Sequence, residues 1–340
     1  ADGDGFSELG KLNMNTFGLR AYYRPTQFSR ISLEYHTTNE FRRGGNKFDL
    51  QPHETDITEQ TKHIINSGGL TYDVFFNEYK HKLSVYASAQ HTDRNSYYGA
   101  DKAENAYGKT KDLTAVGGAM YVGNMDNSLF SPATFTGGVE YQYNSLHDVM
   151  TGYGRDLRQD VKIASGFVQN EWKLDYFTIL AGFRLDKHNL VDNVIFSPRI
   201  NTLWKPSDRF QGRLTWSTGF RAPQAYDEDL HVAAVGGEAM EVRLAEGLKP
   251  ERSNSFSGSV DWSFNFGHFQ SNLLIEGFYT ALNDVFYLES LGKDPVSGTL
   301  VQERRNGNGA RVYGANIDYK IAHGKEAQLQ LGFTVQRSRY

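Results

Sequence analysis

Hydrophobic and polar residues alternate with a period of two along most of this chain. Such a period places successive side chains on opposite faces of a β-strand, whereas a helix repeats its apolar positions every three or four residues. Two clear strands flank the segment 219–251, and their apolar positions are Phe210, Gly212, Leu214, Trp216 and Phe220 before it and Phe256, Gly258, Val260, Trp262, Phe264 and Phe266 after it. Each strand therefore has one apolar face and one polar face.

The same alternation predicts about fourteen strands, joined alternately by short turns and by long polar loops. The predicted long loops cover roughly residues 36–66, 91–111, 144–160, 219–251 and 281–309. Irregular loops of such length are uncommon in compact domains unless they carry a function. Consecutive strands with short turns at one end and long loops at the other are typical of an outer-membrane barrel. The sequence therefore predicts an all-β fold, a transmembrane antiparallel up-and-down β-barrel.

The two faces of the predicted strands indicate what each side of the wall meets. In a bilayer every backbone polar group needs a partner within the protein, which strands obtain only in a closed barrel. We expect the apolar faces to meet lipid and the polar faces to line a wet lumen or hold a polar plug; the polar faces include Ser257, Ser259, Asp261, Gln328, Gln330 and Gln336. Aromatic residues near strand ends are typical of an interfacial girdle: Tyr22, Tyr23, Tyr35, Tyr143, Trp172, Trp204 and Phe210.

Composition excludes several other classes of protein. The formal net charge is −4, from 36 basic and 40 acidic residues, so nothing indicates a nucleic-acid partner. The chain has no cysteine, which excludes disulfides and thiolate metal sites. Mean hydropathy is −0.56, and no uncharged apolar run approaches the length of a transmembrane helix. A soluble β-sandwich or propeller also has alternating strands, but the strand length and the short–long rhythm of the connections favour the barrel.

Several motifs resemble those of TonB-dependent outer-membrane receptors. GFRAP (Gly219, Phe220, Arg221, Ala222 and Pro223) followed by LKPE (Leu248, Lys249, Pro250 and Glu251) is similar to a paired motif of that family. FVQNEWKL, ILAGFRLDKH and FSPRINTLWKP, at 167–174, 179–188 and 196–206, resemble three of its strands in the same order. The resemblance is strongest to the vitamin B12, siderophore and haem branch, and similar strand texture covers the whole chain.

The resemblance implies a 22-stranded barrel plugged by an N-terminal domain that carries a TonB box. Residues 1–340 would then be a segment of the barrel domain, with the plug, the TonB box and about eight strands absent from this chain. The polar start, ADGDGFSELG, lacks a signal-peptide core. Both chain ends also fall on the long-loop side, which favours an interior piece of a longer barrel; fourteen strands closing on themselves are the alternative.

The same resemblance implies a function and partners. The parent protein would be an energy-coupled importer of a scarce nutrient: cobalamin, a ferric siderophore or haem. Its partners would be outer-membrane lipid, the TonB complex through the absent N-terminal region, and a surface-exposed lipoprotein. The alternatives left open are a passive outer-membrane channel or adhesin barrel, and a soluble all-β carbohydrate-binding protein.

The predicted long loops contain the candidate ligand-binding residues. Tyr97, Tyr98, Tyr153 and Tyr226 are aromatic residues suited to stacking on a corrin, a catecholate or a sugar. They are equally suited to packing or to the membrane interface. The sequence therefore predicts ligand contact for at least one of them without deciding which.

Two further loop residues, Asp227 and His231, are candidates for ligand contact. Asp227 opens an acidic run that resembles a calcium loop only loosely, since EF-hand spacing and glycine are missing. In haem receptors similar to this family, a loop histidine between the two motifs ligates iron, and His231 lies between them here. The second motif, however, reads EGLKPE rather than NPDL. No motif resembles a nucleophile elbow or a metalloprotease helix, so we predict no enzyme, no resident cofactor and no metal site.

Charged residues on the polar faces have two interpretations. The arginines Arg20, Arg184, Arg213 and Arg221 attract an anionic cargo or pair with carboxylates such as Glu34, Asp186 and Asp261 on neighbouring strands. Pairing is the favoured interpretation for most of them. Pro223 cannot donate a ladder hydrogen bond and is expected to stop its strand, so the GFRAP motif is predicted to set the angle at which the long loop leaves the wall.

Overall fold

The computed structural model describes residues 7–153, 155–223, 240–293, 295 and 300–339. In chain order its strands are β1 (Ser7–Thr26), β2 (Ser29–Gly45), β3 (Ile57–Phe76), β4 (His81–Ala100), β5 (Tyr107–Ser128), β6 (Ser131–Met150), β7 (Arg155–Lys173), β8 (Phe177–His188), β9 (Ile195–Ser207), β10 (Phe210–Arg221), β11 (Met240–Leu244), β12 (Glu251–Phe266), β13 (Phe269–Asn283), β14 (Phe286–Lys293), β15 (Leu300–Asn306), β16 (Ala310–His323) and β17 (Ala327–Arg339). Single-turn 3₁₀ helices occur at Pro52–Glu54 and Thr151–Tyr153. No helix in these ranges is long and apolar enough to cross a membrane.

Fourteen of the strands form one antiparallel sheet in which sequence neighbours are also neighbours in space. β1 to β10 follow one another without interruption, and β12, β13, β16 and β17 continue the order. The predicted number of wall strands and their up-and-down order are therefore confirmed. β1 and β17 are the two edges of the sheet, and no pairing joins them in the described ranges. Closure of the fourteen strands on themselves, the alternative above, is thus not seen.

Three of the predicted long loops are wrong in extent, because paired strands occupy most of them. After β2, β4 and β6, only residues 46–56, 101–106 and 151–154 remain as connections. The sequence suggested much longer loops because these strand ends carry polar side chains on both faces, and so lack the apolar alternation of a lipid-facing strand. Backbone pairing therefore continues beyond the apolar part of the wall and carries three hairpins past it.

The apolar face of the sheet is its exposed face. Leu214 is 67% exposed, Phe256 is 52% exposed and Trp262 is 46% exposed. The only hydrophobic cluster found among the described buried residues is small, consisting of Leu146 and Val242 with Leu157 packed against them. A soluble sandwich would gather its large apolar side chains inside a dry core. A sheet that leaves them uncovered is suited to lipid, as the alternation predicted.

Aromatic rings gather at the short-turn end of the wall. Trp172 stacks on Phe130 with ring centroids 5.6 Å apart, and Trp204 lies 5.4 Å from Phe210 and 6.3 Å from Phe177. The Trp172 indole also donates a hydrogen bond of 3.0 Å to a backbone carbonyl of the preceding short turn. Rings with one apolar body and one polar group suit the boundary between lipid and water, as predicted for the girdle.

The short β3–β4 turn is strained. Asn77, Glu78 and Tyr79 all lie in the left-handed region, with φ of 50°, 52° and 66°. This conformation is costly for residues other than glycine. The Tyr79 ring holds the turn in place by packing 5.6 Å from Phe28 and 5.5 Å from Phe75.

We expect Glu78→Gly to raise the free energy of unfolding of the full-length protein by about 1 kcal/mol, because glycine adopts a positive φ without steric cost. Reversible unfolding in phospholipid vesicles measures the change. Asp208→Gly, in the short β9–β10 turn, is the matched control, since Asp208 does not have a positive φ. The control should lower stability; a Glu78→Gly protein that loses stability to the same extent would show that the turn is not strained.

Candidate ligand-binding mouth and the base of its two long loops

The two longest connections of the wall, 222–250 and 284–309, meet in a separate three-stranded sheet. β11 comes from the first connection, and β14 and β15 come from the second. β11 pairs in parallel with β15, from Met240 opposite Leu300 to Leu244 opposite Arg304, and β15 pairs with β14 in antiparallel fashion. The sequence predicted irregular loops here. The two connections are instead joined to each other at the long-loop end of the wall.

Where these two connections leave the wall, two arginines lie beside one aromatic ring. The guanidinium carbon of Arg221 lies 5.8 Å from the centroid of the Phe286 ring, and that of Arg304 lies 5.7 Å from it. The Glu251 carboxylate accepts a hydrogen bond from the backbone N–H of Phe286 and lies 3.8 Å from the Arg221 guanidinium. Asn306 lies beside this group. We call Arg221, Glu251, Phe286, Arg304 and Asn306 the loop base.

Asn306 joins the two connections through its amide group. The side-chain nitrogen donates to the carbonyl of Lys249 at 2.9 Å and to the carbonyl of Asp284 at 2.7 Å. The side-chain oxygen accepts from the backbone N–H of Lys249 at 2.8 Å. One side chain therefore satisfies three backbone groups from two different loops, which fixes the spacing of those loops where they meet.

The two family motifs of the sequence analysis come together at the loop base. β10 ends at Arg221, and Ala222 and Pro223 are buried just beyond it. Arg221 is the register partner of Glu251, the first residue of β12, so the ends of both motifs face each other across one strand pair. That the motifs set the direction in which the long loop leaves the wall stays a prediction.

The mouth wall contains a buried group of charges that spans four strands. Arg94 on β4 donates to the Thr110 hydroxyl on β5 at 2.8 and 3.1 Å, and that hydroxyl donates to Asp148 on β6. The Nε of Arg155 on β7 lies 2.8 Å from the same carboxylate, and Arg94 approaches it at 3.4 Å. Asp148 is 1% exposed. One buried carboxylate between two arginines therefore links the ends of four neighbouring strands.

The small sheet reaches this same part of the wall. Val242 of β11 is 8% exposed and packs with Leu146 of β6 and Leu157 of β7. Leu157 is the register partner of Asp148, so the contact lies directly beside the buried charges. The loop sheet is therefore attached at two places, at the loop base and at strands β6 and β7 of the wall.

Lower on the inner face, a second polar network crosses β4 to β8. The Tyr86 hydroxyl donates to Glu140 at 2.7 Å, and it passes over Gly118, where a Cβ atom would lie 2.7 Å from that hydroxyl oxygen. Arg184 donates to Glu140 at 3.0 Å and to Asp186 at 2.7 Å. The inner face is thus polar and internally paired, which suits a wet lumen.

The interpretation that most inner arginines pair with carboxylates is confirmed for two more of them. Arg20 lies 2.8 Å from Glu34, as predicted. Arg221 pairs with Glu251 on the neighbouring strand β12, a carboxylate that was not among those named from the sequence. Asp261 instead accepts hydrogen bonds from two amide side chains. Among the residues that the structure describes, Arg213 forms no ion pair and is exposed on the inner face.

The predicted ligand-binding tyrosines divide into different environments. Tyr97 and Tyr98 lie on β4 rather than in a loop and are 0% and 4% exposed. The Tyr97 ring packs 4.8 Å from Tyr107, and its hydroxyl donates to a backbone carbonyl of the β4–β5 connection. Tyr153 ends the 3₁₀ helix between β6 and β7. Ligand contact by these residues stays a prediction.

The remaining predicted ligand-binding residues, Tyr226, Asp227 and His231, lie outside the described residues. Among the residues the structure does describe, no group of three His, Asp or Glu side chains is arranged to hold a metal ion.

The β2–β3 connection is held by one carboxylate. Asp56 accepts hydrogen bonds from Lys47 at 2.8 Å and from Asn46 at 3.0 Å, and the Lys47 ammonium, followed by the Asn46 amide, holds the pKa of Asp56 below its usual range. A lowered folded-state pKa stabilises the connection above the unfolded pKa, and this stabilisation is lost as the pH falls through the folded value.

The backbone N–H of Asn46 donates to the carbonyl of Ile57. We therefore expect this backbone N–H to lose hydrogen-exchange protection below about pH 4. Protection factors between about pH 3 and 6 measure this loss. Asp56→Asn should remove the pH dependence. An Asp56→Asn protein with the same acid transition would assign the transition to another group.

An antiparallel meander with an exposed apolar face, a paired polar inner face and two long loops gathered at one end defines the wall of an outer-membrane barrel. The family model described as "TonB dependent receptor-like, beta-barrel" matches residues 3–340. The chain belongs to this family of the bacterial outer membrane, as its motifs suggested.

Individual relatives are similar to this chain at low sequence identity. The "Iron-regulated outer membrane virulence protein" of Vibrio cholerae serotype O1 (strain ATCC 39315 / El Tor Inaba N16961) is 29% identical over 201 residues, 58% of this chain and 29% of that protein. The siderophore receptor PirA from Pseudomonas aeruginosa superimposes with a TM-score of 0.76 at 14% identity, over 96% of this chain and 57% of its own. The Serratia marcescens hemophore receptor HasR, in complex with its hemophore HasA and heme, gives a TM-score of 0.68 at 14% identity, covering 95% of this chain and 54% of the HasR chain.

The chain spans less than a third of the curated relative and little more than half of the PirA and HasR chains. The likeness to those two structures, at 14% identity, is a likeness of fold.

Proposed function

We propose that this chain is barrel wall from a receptor that imports an iron chelate, either a ferric siderophore or haem, across the outer membrane with energy from the TonB complex. The family match over residues 3–340 carries the proposal. The name of the Vibrio relative, which is iron-regulated, and the siderophore and heme named for the similar structures support iron as the cargo. Cobalamin, the third cargo predicted from the sequence, has no such support. The chelate is cargo, and no resident cofactor is proposed.

The wall and mouth have separate roles in this proposal. The mouth, formed by the small sheet and the hairpins of β2 to β7, captures the chelate from outside the cell. The polar inner face lets a hydrated cargo or a plug domain move against it without meeting apolar side chains. Exposed cations on that face, such as Arg213, favour an anionic chelate. The proposed partners are outer-membrane lipid, a surface-exposed lipoprotein, and the TonB complex, which acts through an N-terminal region.

The test compares binding with uptake for the full-length protein that contains this chain. Affinities for cobalamin, haem and ferric siderophores are measured side by side on the purified receptor in detergent. Uptake of the radiolabelled ligand is then measured in cells with and without TonB. We expect one iron chelate to bind in both strains and to enter only the strain with TonB. Uptake that is independent of TonB would reject energy coupling, and binding of cobalamin alone would reject the iron assignment.

The same protein distinguishes the alternatives. A passive channel would conduct ions steadily in planar bilayers, whereas a plugged receptor is expected to stay closed. A soluble carbohydrate-binding protein would remain monodisperse without detergent, which the exposed apolar wall does not favour.

A further inference from the structure

We propose that the outward face of β10, β12, β13, β16 and β17 binds one phosphorylated lipid of the outer leaflet. An acyl chain of this lipid lies in an apolar groove of the wall, and its phosphate lies on arginines just above the groove. The inference depends on the outer-membrane location of the wall, which follows from the family match, and not on the cargo. It goes beyond the proposed function because it assigns one lipid a fixed position on the protein.

The groove lies among the exposed apolar side chains of the wall. Register partners share a face of the sheet, and from Leu214 they run through Gly258 to Gly277. Ala315 on β16 continues this row of small residues. A Cβ atom added at Gly277 would meet no heavy atom within 4 Å, so the floor of the groove is open. The groove has a volume of about 810 Å³ and suits a hydrocarbon chain, because most of its lining is apolar and includes Leu214, Trp216, Phe256, Gly258, Gly277 and Tyr279.

Four aromatic rings border the groove on the side of the long loops. Trp216 stacks on Phe256 with ring centroids 6.4 Å apart, and Tyr279 stacks on Tyr313 at the same distance. Phe256 is the register partner of Tyr279, so the four rings form one row. The long-loop end of such a barrel faces the outside of the cell, and an aromatic row there is typical of the boundary between acyl chains and headgroups. A lipid with its chain in the groove therefore has its headgroup at or just above this row.

At that level the charged side chains of this face are all positive. Four exposed arginines project outward, one in the register row of the rings and the others two or four residues beyond it: Arg252, Arg311, Arg337 and Arg339. We call them the outer arginines. No aspartate or glutamate occupies an outward position on these five fully described strands. Within the described ranges none of the outer arginines forms an ion pair, so the face carries an uncompensated positive charge.

Two of the outer arginines oppose each other directly. Arg311 on β16 is the register partner of Arg339 on β17, and Arg337 lies two residues from Arg339 on the same face. Like charges opposite each other destabilise a strand pair. A shared anion removes this repulsion, and guanidinium groups bind phosphate oxygens in bidentate geometry. Phosphate is therefore the headgroup chemistry that this cluster favours, whereas a second copy of the chain would add further positive charge to the contact.

A second apolar groove of the wall lacks this arrangement and serves as the comparison. It has a volume of about 640 Å³ and is floored by small residues of β4 and β5, among them Ala89 and Gly117. The outward lysine above it, Lys111, is the register partner of Asp93, so positive and negative charges are mixed there. A preference for phosphorylated lipid is therefore expected at the first groove and not at the second.

The first test measures lipid affinity of the full-length receptor that contains this chain. The receptor is purified in a nonionic detergent, freed of lipid, and titrated in native mass spectrometry with lipid A that carries two phosphates. Arg311→Gln/Arg339→Gln should weaken the tightest lipid site about tenfold or more, because charge-assisted hydrogen bonds are lost. Removal of both phosphates from lipid A should have an effect of similar size on the parent receptor and little on this variant. The control Lys109→Gln/Lys111→Gln should leave the affinity unchanged.

The second test fills the groove. Gly277→Leu places a side chain in the open floor and should weaken lipid A binding about tenfold by excluding the acyl chain. Gly117→Leu is the matched control in the other groove, where the nearest atom to an added Cβ is 3.7 Å away. Inorganic phosphate should not displace the bound lipid, since it has no chain for the groove.

Thermal unfolding in the same detergent separates binding from damage to the fold. Without lipid, Arg311→Gln/Arg339→Gln should be no less stable than the parent receptor, because the substitution removes a like-charge pair. Lipid A should raise the unfolding temperature of the parent and of Arg311→Lys/Arg339→Lys, which keeps the charges, but not that of the glutamine variant.

Three results would overturn the inference. Equal affinity of the parent and the glutamine variant would show that the outer arginines do not hold the headgroup. Unchanged affinity in Gly277→Leu would leave a surface that binds phosphate without a chain. A receptor dimer that dissociates on Gly277→Leu substitution would assign the face to a second copy. No iron chelate enters these measurements, so their failure and the failure of the proposed function are separate outcomes.

Discussion

Replacing Asp148 by alanine is expected to lower the free energy of local unfolding of the β4–β7 strand ends by about 3–5 kcal/mol, because it leaves two buried arginines without their carboxylate. Arg94 is 7% exposed, and the side chain of Arg155 is 9% exposed. At this degree of burial little water can reach either guanidinium to replace the lost partner. The Thr110 hydroxyl loses its acceptor at the same time.

Hydrogen exchange of the full-length receptor, resolved to peptides from β4 to β7, measures this change. Protection should fall at the polar strand ends, while the lipid-facing halves of the same strands stay protected. The contact of Val242 with Leu157 should loosen as well, since Leu157 lies opposite Asp148. Asp156→Ala is the matched control: its side chain is 60% exposed and pairs with His147 at 3.0 Å at the surface. An equal loss of hydrogen-exchange protection in the two variants would mean that burial of the Asp148 charge does not stabilise the strand ends.

The second large effect is expected on the outer face of the wall. Leu214→Arg should destabilise the folded receptor by about 2–4 kcal/mol in phospholipid vesicles, because an arginine on the lipid face near the middle of a barrel strand is costly. Leu214 is 67% exposed and lies four residues from the Phe210 girdle, opposite Gly258 of β12. Its register partners are Gly258 on β12 and Thr202 on β9, and neither offers a negative charge to pair with the arginine.

Ser257→Arg is the matched control for Leu214→Arg, at nearly the same depth but on the inner face. Ser257 is the register partner of Thr215, the residue after Leu214. We expect the free energy of unfolding to change by no more than about 1 kcal/mol, because the new cation meets a polar lumen. A larger loss for Ser257→Arg than for Leu214→Arg would reverse the assignment of the two faces and exclude the membrane barrel.

The wall was predictable because lipid imposes a pattern on the sequence. In the lipid-facing segments one face must be apolar, so Leu214, Trp216 and Phe256 identify their strands and the register between them. The strand ends above the lipid face water on both sides and carry no such pattern. For this reason β4 was not expected to reach Tyr97 and Tyr98, which the sequence assigned to a loop and which the structure buries within a hairpin.

Only part of the loop base could be predicted from the sequence. Arg221 and Glu251 belong to recognisable motifs, and their facing positions follow from the pairing of β10 with β12. Phe286, Arg304 and Asn306 lie in a polar stretch without periodicity, and the group that they form depends on contacts between residues far apart in sequence. The parallel pairing of β11 with β15 could not be predicted for the same reason. No local pattern identifies a pairing partner that is separated by the β12–β13 hairpin.

That parallel pair has a consequence for the order in which the molecule matures. β11 and β15 are separated in sequence by the β12–β13 hairpin, so they meet only after that hairpin has brought both connections to the same rim. Bringing distant segments together costs entropy that neighbouring strands do not pay. We therefore expect the β11–β15 pair to form later than the wall hairpins beneath it, so that the rim is the last part of this region to gain protection from proteases.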